Sequence, residues 1–423
     1  MTIVIIADDL TGANDSGIQL AKAGLEVSVA MDAADIPTAA PDVIAYDADS
    51  RGDDAETAYR KVRDVADRAA SLRPALVFKK LDSTLRGNVG AEIDAVFDAL
   101  RPDIVAIAPS YPAAGRIVRD GFLYVHGKLL HETETAKDPK TPVATSDVAA
   151  LVRAQSKRPS SRIVHVGLAE LDSEDALFAR LRELLGQGGV YVVFDAASDR
   201  DLRTIAGAVE RLNAHTVWAG SAGLAACLPT GGRLLQRAAP RPNSPPRGPA
   251  LTVVGSLSRR SRTQLERLLA QPDVYGIEAR SVALAGNDVE RSAEAERIVS
   301  AAAAALGGGR SVAVYSSEPD AHAPAREGAS DRIAQALGAI AWEAVQRAAP
   351  AGVVLTGGDV ARRFCDAAGL GTFRLADEVE PGMPAGCFLG EFAAVHGITK
   401  AGAFGSDAAL VKALRYFQRE GPT

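Results

Sequence analysis

The sequence begins with the stretch TIVIIADDLTGANDSG at residues 2–17. Residues 2–7 form an apolar run, and two aspartates follow where that run ends. An apolar run without alternation is typical of a strand that is covered on both faces, as in a parallel sheet. The small polar residues after it favour two interpretations equally: a strand-to-helix turn capped by Asn14 or Asp15, or a loop that holds polyol hydroxyls or a metal ion.

Similar apolar runs recur along the chain and predict the other strands. The predicted strands are Thr2–Ala7, Glu26–Ala30, Val43–Tyr46, Ala75–Lys79, Ile104–Ala108, Arg162–Val166, Val190–Phe194, Thr216–Trp218, Ala250–Val254, Ser311–Tyr315, Gly352–Leu355 and Gly386–Leu389. Segments between them have apolar residues at helical spacing. The predicted helices are Asp54–Leu72, Val89–Leu100, Asp172–Leu185, Asp199–Leu212, Ser258–Ala270, Glu290–Ala305 and Asp331–Ala348. This alternation predicts the α/β class, with mainly parallel sheets flanked by helices.

The chain of 423 residues is long enough for two domains. Residues 229–249 read PTGGRLLQRAAPRPNSPPRGP and have no apolar periodicity. Proline removes backbone donors and stops helices, so this stretch predicts a linker. The predicted division is one domain at 1–230, a Pro/Arg-rich linker at 231–249 and a second domain at 250–423. A long surface loop within a single domain is the alternative.

The composition excludes several classes of partner. Lys and Arg number 47, Asp and Glu number 53, and the formal net charge is −6, so a basic surface for nucleic acid is not expected. No stretch approaches the roughly 18 apolar residues of a membrane span, and we expect no membrane partner. The three cysteines form no CxxC pair, which favours free thiols in a reducing cytoplasm. The sequence leaves the oligomeric state open, including a homo-oligomer.

Charged residues follow three predicted strands of the first half. Ligands of parallel α/β sheets bind outside the carboxyl ends of the strands. Lysines are rare at the end of an apolar strand because desolvating an unpaired ammonium is costly, and arginine can hold a carboxylate or phosphate in bidentate fashion. This pattern predicts an anion site, and the alternative is a surface cluster balanced by Asp49 and Asp82. The candidate substrate-binding residues are Asp9, Arg51, Lys79, Lys80, Leu81, Asp82 and Arg86.

Three glycine-rich loops occur in the second half, and two of them directly follow predicted strands. A strand, a glycine pair and a helix together aim backbone N–H groups at a phosphate, and Lys400 could neutralise phosphate oxygens. Nucleotide binding is one interpretation, and ordinary turns are the other. The chain has no P-loop and no dinucleotide fingerprint. The candidate nucleotide-binding residues are Ser256, Gly357, Gly358, Asp359, Val360, Lys400, Gly402, Ala403 and Gly405.

Motifs in both halves resemble those of the four-carbon acid sugar kinase family, in the same order along nearly the whole chain. They are ADDLTGANDSG at 7–17, KKLDSTLRGNVGAEI at 79–93, PAAGR at 112–116, DPKTP at 138–142, GSLS at 255–258, TGGDVA at 356–361 and TKAGAFGS at 399–406. The resemblance implies a sugar-acid-binding first domain, a nucleotide-binding second domain and an active site in the cleft between them. It also implies ATP-dependent phosphorylation of the terminal hydroxyl of a four-carbon sugar acid. The KKLDST and AAGR segments are most similar to those of kinases for D-threonate, with D-erythronate and 3-oxo-tetronate as alternative acceptors.

The resemblance implies substrate contacts at Asp9, at Arg51 and along residues 79–82. It implies ATP contacts at Ser256, at residues 357–360 and at Gly402 with its neighbours. Phosphoryl transfer depends on positioning and on neutralising charge, with Mg²⁺ bridging the phosphates.

A carboxylate near the attacking hydroxyl would accept its proton, and we expect Asp9 in this role, with Asp82 second. We expect Asp359 on the phosphate or metal side, and the metal ligands stay unassigned. The rival classes are a sugar-acid-binding regulator without turnover, and a dehydrogenase, which the missing fingerprint disfavours.

Overall fold

The computed structural model describes residues 2–32, 41–138, 140–186, 188–228, 245–317, 328–391, 393–402 and 404–418. The chain divides into two compact units, unit 1 at Met1–Ala239 and unit 2 at Pro240–Thr423. Most of the predicted linker lies outside the described residues. Cys227, Cys365 and Cys387 are free thiols, as the sequence predicts.

Unit 1 has one large sheet and one small sheet. The strands are β1 (Ile3–Ala7), β2 (Val27–Ala30), β3 (Val43–Asp47), β4 (Leu76–Lys80), β5 (Ile104–Ala108), β6 (Arg116–Arg119), β7 (Phe122–Val125), β8 (Lys128–Leu129), β9 (Ile163–Val166), β10 (Val190–Phe194) and β11 (Thr216–Gly220). In the large sheet the order is β2-β3-β1-β4-β11-β5-β10-β9, and its pairings are parallel. β1, β4, β5 and β10 are buried along their whole length because helices cover both faces.

The helices of unit 1 connect these strands. They are α1 (Leu10–Lys22), α2 (Ala55–Ser71), α3 (Val89–Leu100), α4 (Val148–Gln155), α5 (Glu174–Leu185), α6 (Asp199–Arg211) and α7 (Ala222–Ala225). Short 3₁₀ turns lie at Pro112–Ala114, Leu130–Glu132, Glu134–Lys137, Ser160–Arg162 and Leu168–Leu171. The expected cap at Asn14 or Asp15 is wrong, because α1 begins at Leu10. Its N-cap is Asp9, which accepts a hydrogen bond of 2.7 Å from the Gly12 amide.

The small sheet of unit 1 is antiparallel, with the order β6-β7-β8. Asp120 and Gly121 join β6 to β7, and their φ angles of 52° and 81° are positive. Paired positive φ angles match the twist of a two-residue hairpin, and an Asp-Gly sequence is a strong signal for such a turn. This hairpin was not predicted from the sequence.

Unit 2 has a mixed sheet. Its strands are β12 (Ala250–Val254), β13 (Val274–Ala279), β14 (Ser311–Ser316), β15 (Gly352–Thr356), β16 (Thr372–Glu378), β17 (Pro384–Leu389) and β18 (Ala394–Lys400). The order is β13-β14-β12-β15-β18-β17-β16. The pairings from β13 to β18 are parallel, whereas β16, β17 and β18 pair antiparallel. The α/β prediction is therefore confirmed, although it missed β13, β16 and β18.

The helices of unit 2 pack on both faces of this sheet. They are α8 (Arg259–Leu269), α9 (Ser281–Leu284), α10 (Asp288–Gly307), α11 (Ala329–Ala348), α12 (Gly358–Ala368) and α13 (Ala409–Tyr416). One core cluster joins Val254 and Ile398 of the sheet to Leu265 of α8 and Leu414 of α13. Among the described residues, no helix is both long enough and apolar enough to cross a membrane.

Candidate functional site

The first candidate site lies at the carboxyl ends of β3, β1 and β4 in unit 1. These three strands are neighbours, and the register aligns Ala7 with Asp47 and Ile6 with Lys79. The residues that follow the strands therefore meet at one edge of the sheet. The backbone amides of Ser50 and Arg51 donate to the Asp8 carbonyl, which fixes the loop after β3 against the end of β1.

Arg51 holds both aspartates that follow β1. Its Nε and Nη2 atoms donate to the two carboxylate oxygens of Asp8 at 2.7 and 2.9 Å. Its Nη1 and Nη2 atoms donate to Asp9 at 2.5 and 2.8 Å. Burial alone would lower the pKa of Arg51, but the neighbouring carboxylates raise it well above its usual value. The guanidinium is thus a permanent cation whose donors face carboxylates of the chain itself.

The two aspartates have different proton affinities. Burial tends to raise both pKa values, but Arg51 and the lysines of β4 outweigh it at Asp8 and lower that pKa. At Asp9, burial and the negative charge of Asp8 prevail over Arg51 and raise the pKa. The Asp9 side chain is 20% exposed, against 4% for Asp8. Asp9 is therefore the more accessible carboxylate and the better proton acceptor of the pair.

Lys80 lies beside Asp9 at the start of α1. A β-carbon at Gly12 would lie 2.8 Å from Asp9 Oδ1 and 3.3 Å from Lys80 Nζ, so glycine leaves the gap in which these two groups approach. The buried Lys80 ammonium donates to the Leu81 carbonyl at 2.7 Å. The Leu81 side chain packs in the core, and its amide donates to the Gly220 carbonyl.

Lys79 points to the other side of β4 and forms a buried ion pair. Its Nζ lies 2.7 Å from Glu92 Oε2, and the two side chains are 0% and 2% exposed. Glu92 also accepts from the Ser50 hydroxyl at 2.8 Å. Burial raises the pKa of Glu92, and Lys79 opposes that rise. Glu92 therefore connects Lys79 to Ser50, in the loop that carries Arg51.

Asp82 belongs to a second ion-pair group. Arg86 Nε donates to Asp82 Oδ2 at 2.9 Å, and Arg86 Nη1 donates to Asp138 at 3.2 Å. The Thr84 hydroxyl also donates to Asp82. Burial would raise the pKa of Asp82, but Arg86 and Arg51 hold it well below its usual value. Asp82 thus stays ionised and is a weaker candidate than Asp9 for taking up a proton.

The second candidate site lies at the carboxyl ends of β12, β15 and β18 in unit 2. Register aligns Val254 with Thr356, and Thr356 with Lys400. The Gly255 amide donates to the Thr356 carbonyl at 3.3 Å, and the Gly357 amide donates to the Lys400 carbonyl at 2.9 Å. The three glycine-rich loops thus meet at one edge of the sheet.

Gly357 is the residue before α12 and has a φ of +102°, which disfavours any side chain there. Gly358 and Asp359 begin the helix, so backbone N–H groups of its first turn point out of its N-terminus. Val360 is 4% exposed, and a β-carbon at Gly255 would lie 2.5 Å from its Cγ2 atom. The Val360 side chain is therefore a packing residue of the loop.

Lys400 and two serines bind the loop after β18. The Lys400 ammonium donates to the carbonyls of Ala401 and Gly402 at 2.9 and 3.1 Å. The hydroxyls of Ser258 and Ser261 donate to the same Gly402 carbonyl at 3.0 and 2.9 Å. Burial lowers the pKa of Lys400 to about 7.

Two glycines of the loop after β18 leave no room for a larger residue or have a backbone conformation that disfavours one. A β-carbon at Gly402 would lie 2.3 Å from the Ser256 hydroxyl. Gly405 has a φ of +89°. Ala403 lies outside the described residues. The loop thus depends on glycine at both of the described positions.

Several residues at these two edges escaped the sequence analysis as candidates. Asp8 was considered only as one of the two aspartates after the first strand, while Glu92, Asp138 and Ser261 lie far along the chain from the groups they contact. Charged residues inside an otherwise apolar stretch, such as Glu92 in α3, are the signal that could have found them. Among the described residues, no group of three or more His, Cys, Asp or Glu side chains is arranged to hold a metal ion.

Two models of protein-family domains match the chain, one in each unit. A sugar-binding N-terminal domain model matches residues 3–228, and a nucleotide-binding C-terminal domain model matches residues 251–410. A D-threonate kinase of Salmonella typhimurium is 34% identical over 99% of each chain. A D-erythronate kinase of Heliobacterium modesticaldum is 34% identical over 96% of this chain and 95% of its own.

The fold is shared with solved structures. A Salmonella typhimurium protein described as a putative tRNA synthase aligns with a TM-score of 0.79 and 25% identity, covering 99% of this chain and all of that one. With a sugar-binding and a nucleotide-binding domain, the chain is a phosphotransferase whose acceptor is an alcohol group. It belongs to the four-carbon acid sugar kinase family.

Proposed function

We propose that the protein transfers the terminal phosphoryl group of ATP to the terminal hydroxyl of a four-carbon sugar acid, with D-threonate as the first acceptor to test. D-Erythronate and 3-oxo-tetronate are the alternative acceptors. The observation that carries the proposal is the pair of aspartates held by Arg51, in which Asp9 has a raised pKa and partial exposure. Relatives named D-threonate kinase support the choice of acid.

In this proposal Asp9 accepts the proton of the attacking hydroxyl. A general base must lie within hydrogen-bond reach of that proton and have a pKa that lets it take the proton up. Arg51 and the Gly12 amide fix both Asp9 oxygens, so the carboxylate is held in one orientation. Its raised pKa makes Asp9 more basic than an exposed aspartate, whereas the lowered pKa of Asp82 supports a second, electrostatic role for that residue.

The acid carboxylate is proposed to bind at Lys80, with Arg51 and Arg86 completing the positive field. Lys79 is paired with Glu92, and the donors of Arg51 face two aspartates. Lys80 makes one hydrogen bond to a carbonyl through an ammonium that has three donors. The support for Lys80 is thus its donor capacity beside Asp9. Arg51, expected from the sequence to grip the acid, is here mainly the residue that orients Asp9.

ATP is proposed to bind at the loops of unit 2. Backbone N–H groups at the N-terminus of α12, and at the loop after β18, suit the phosphates. Mg²⁺ fits this arrangement because the ion is usually held by one or two carboxylates, with phosphates and water filling the other positions. Asp359, in the first turn of α12, is the residue proposed to face it. When bound, Mg²⁺ would neutralise charge on the phosphates.

A coupled assay of ADP release tests the function directly. Purified full-length protein is supplied with ATP, Mg²⁺ and each of D-threonate, D-erythronate and 3-oxo-tetronate in turn. We expect turnover with one or more of these acids, fastest with D-threonate. Turnover with a different acid of the panel would correct the acceptor, whereas acid binding without ADP release would identify a non-catalytic sugar-acid-binding protein.

The cytoplasm is the proposed location, supported by the free thiols at Cys227, Cys365 and Cys387. A homo-oligomer is compatible with this function. Light scattering on the purified protein would give its mass in solution. A mass that is a multiple of 44.0 kDa would show the oligomer.

A further inference from the structure

The Gly402 carbonyl is a meeting point of three side chains from two distant parts of the chain. It accepts from Lys400 Nζ at 3.1 Å, from Ser258 Oγ at 3.0 Å and from Ser261 Oγ at 2.9 Å. The preceding carbonyl, that of Ala401, accepts from Lys400 at 2.9 Å. A carbonyl oxygen has two lone pairs, so these three donors share them and fully occupy the oxygen.

The bonds to the Ala401 carbonyl orient the peptide that joins Ala401 to Gly402. In a trans peptide the C=O and N–H groups are coplanar and point in opposite directions. The Ala401 carbonyl accepts from the Lys400 ammonium at 2.9 Å and from the Phe404 amide at 3.1 Å. The Gly402 N–H of the same peptide therefore points away from both donors.

Burial restricts the Lys400 side chain. Its side chain is 1% exposed and lies next to Thr356 in the register of β18 and β15. Burial lowers the pKa of Lys400, Glu380 opposes that shift, and the positive charge of Arg260 lowers the pKa further. The Lys400 ammonium donates to the carbonyls of Ala401 and Gly402, so these hydrogen bonds maintain the shape of the loop after β18.

We propose that Lys400 is a positioning residue, which aims the Gly402 amide at a nucleotide phosphate. It holds the Ala401 carbonyl of the same peptide and anchors Gly402 itself through the Gly402 carbonyl. Ser261 assists through the same oxygen. This role differs from the direct neutralisation of phosphate that the sequence suggests for Lys400. The inference rests on the proposed function only in assigning the nucleotide to unit 2.

Nucleotide affinity of the full chain tests this role without any acceptor present. Titration calorimetry with ADP and with a non-hydrolysable ATP analogue compares wild type, Lys400→Met, Ser261→Ala and the double variant. We expect Lys400→Met to weaken binding about 10- to 100-fold and Ser261→Ala about 3- to 10-fold, since each removes hydrogen bonds to the carbonyl. The fold loss of affinity in the double variant should be smaller than the product of the two single losses, because both side chains donate to the Gly402 carbonyl oxygen.

Steady-state kinetics give a second readout. In both variants the KM for ATP should rise while the KM for the sugar acid stays near wild type, and Lys128→Met, in unit 1, should change neither. Wild-type nucleotide affinity in Lys400→Met would overturn the proposal. So would a loss in Lys400→Met combined with no effect of Ser261→Ala, because the lysine would then act by its charge.

Ser261→Ala keeps the test decisive if Lys400→Met does not fold, because it removes a donor without changing charge. Unchanged nucleotide affinity in that variant would then refute the shared action on Gly402. The proposed function fails separately. If wild type binds nucleotide but releases no ADP with any acid of the panel, the acceptor assignment is wrong, while the affinity results still decide the role of Lys400.

Discussion

The two candidate sites lie at equivalent edges of two α/β sheets but are built from different chemistry. In unit 1 the strand ends carry charged side chains that pair with one another, as Arg51 does with Asp8 and Asp9. In unit 2 they carry glycines and serines, and the principal contacts are hydroxyl or ammonium donors on backbone carbonyls. This contrast matches the proposed roles, because an oriented carboxylate can accept the proton of an attacking hydroxyl, whereas backbone N–H groups can bind a polyanion.

The two sites should also differ in the kind of substitution that destabilises them. The ion pairs of unit 1 are desolvated, so removing one partner leaves an uncompensated buried charge. The unit 2 site depends on close backbone approach, so its weak point is added volume rather than lost charge. Substitutions of one kind should therefore damage one site and spare the other.

Asp9→Asn has the largest expected effect on catalysis. Asparagine can still cap α1, but it cannot take up the proton of the acceptor, so kcat should fall about 10²- to 10⁴-fold. Stopped-time ADP assays measure kcat, and calorimetry should show unchanged nucleotide binding. Asp67→Asn, on the exposed face of α2, is the matched control. A kcat within about tenfold of wild type would remove Asp9 from the base role.

Glu92→Gln is expected to be the most destabilising of these changes. It leaves the Lys79 ammonium buried without a charged partner, which typically costs about 3–5 kcal/mol of unfolding free energy. Urea denaturation followed by circular dichroism measures this. Glu296→Gln, which breaks an exposed pair with Arg347 in unit 2, should show little change. The double change Lys79→Met with Glu92→Leu should recover much of the loss, and equal costs for the two Gln variants would contradict the contrast.

Gly402→Ala tests the sensitivity of unit 2 to volume. The new methyl group would meet the Ser256 hydroxyl at 2.3 Å, and the displaced loop should raise the KM for ATP about tenfold or more. Gly307→Ala is the control, because a β-carbon there would meet nothing within 4 Å. Equal KM values in the two variants would show that the close approach at Gly402 is not needed for nucleotide binding.

The smallest expected effect is on the pH dependence of the reaction. The pKa of Asp9 is raised, so as the pH falls this carboxylate takes up a proton earlier than an ordinary aspartate would. Activity should therefore be lost at a higher pH than with an ordinary aspartate as the base. Asp8→Asn removes the like charge that contributes to this rise, so the acidic limb of kcat/KM should move to lower pH. A limb that stays in place would show that another group titrates there.

The α/β class could be predicted because strands such as Ile104–Ala108 are covered on both faces and therefore form continuous apolar runs in the sequence. Such a run can be recognised as a strand without knowing which strands it pairs with. Prediction failed where the pattern was weak. β13 has exposed residues at Tyr275 and Glu278 and lies at the edge of its sheet. α1 contains two glycines and several polar residues, and packing rather than propensity makes it helical.

The sequence identified which residues meet at each site but not which of them pair. Lys79 and Lys80 are adjacent, yet alternation along β4 sends their side chains to opposite faces. Only the position of Glu92 on α3 shows that Lys79 is the structural member of the pair. Likewise, Ser261 and Gly402 lie 141 residues apart, so their hydrogen bond could not be read from local spacing.

The position of β11 has a consequence for how the protein is made. β11 lies between β4 and β5, although it is the last strand of unit 1 in the chain. During synthesis the open edges of β4 and β5 would wait for Thr216–Gly220 to leave the ribosome, and Lys80 pairs with Gly220 itself. Such edges attract wrong partners. Nascent chains that stop before residue 216 should therefore depend on chaperones and be sensitive to proteases. Chains long enough for residue 220 to have left the ribosomal tunnel should become resistant to proteases.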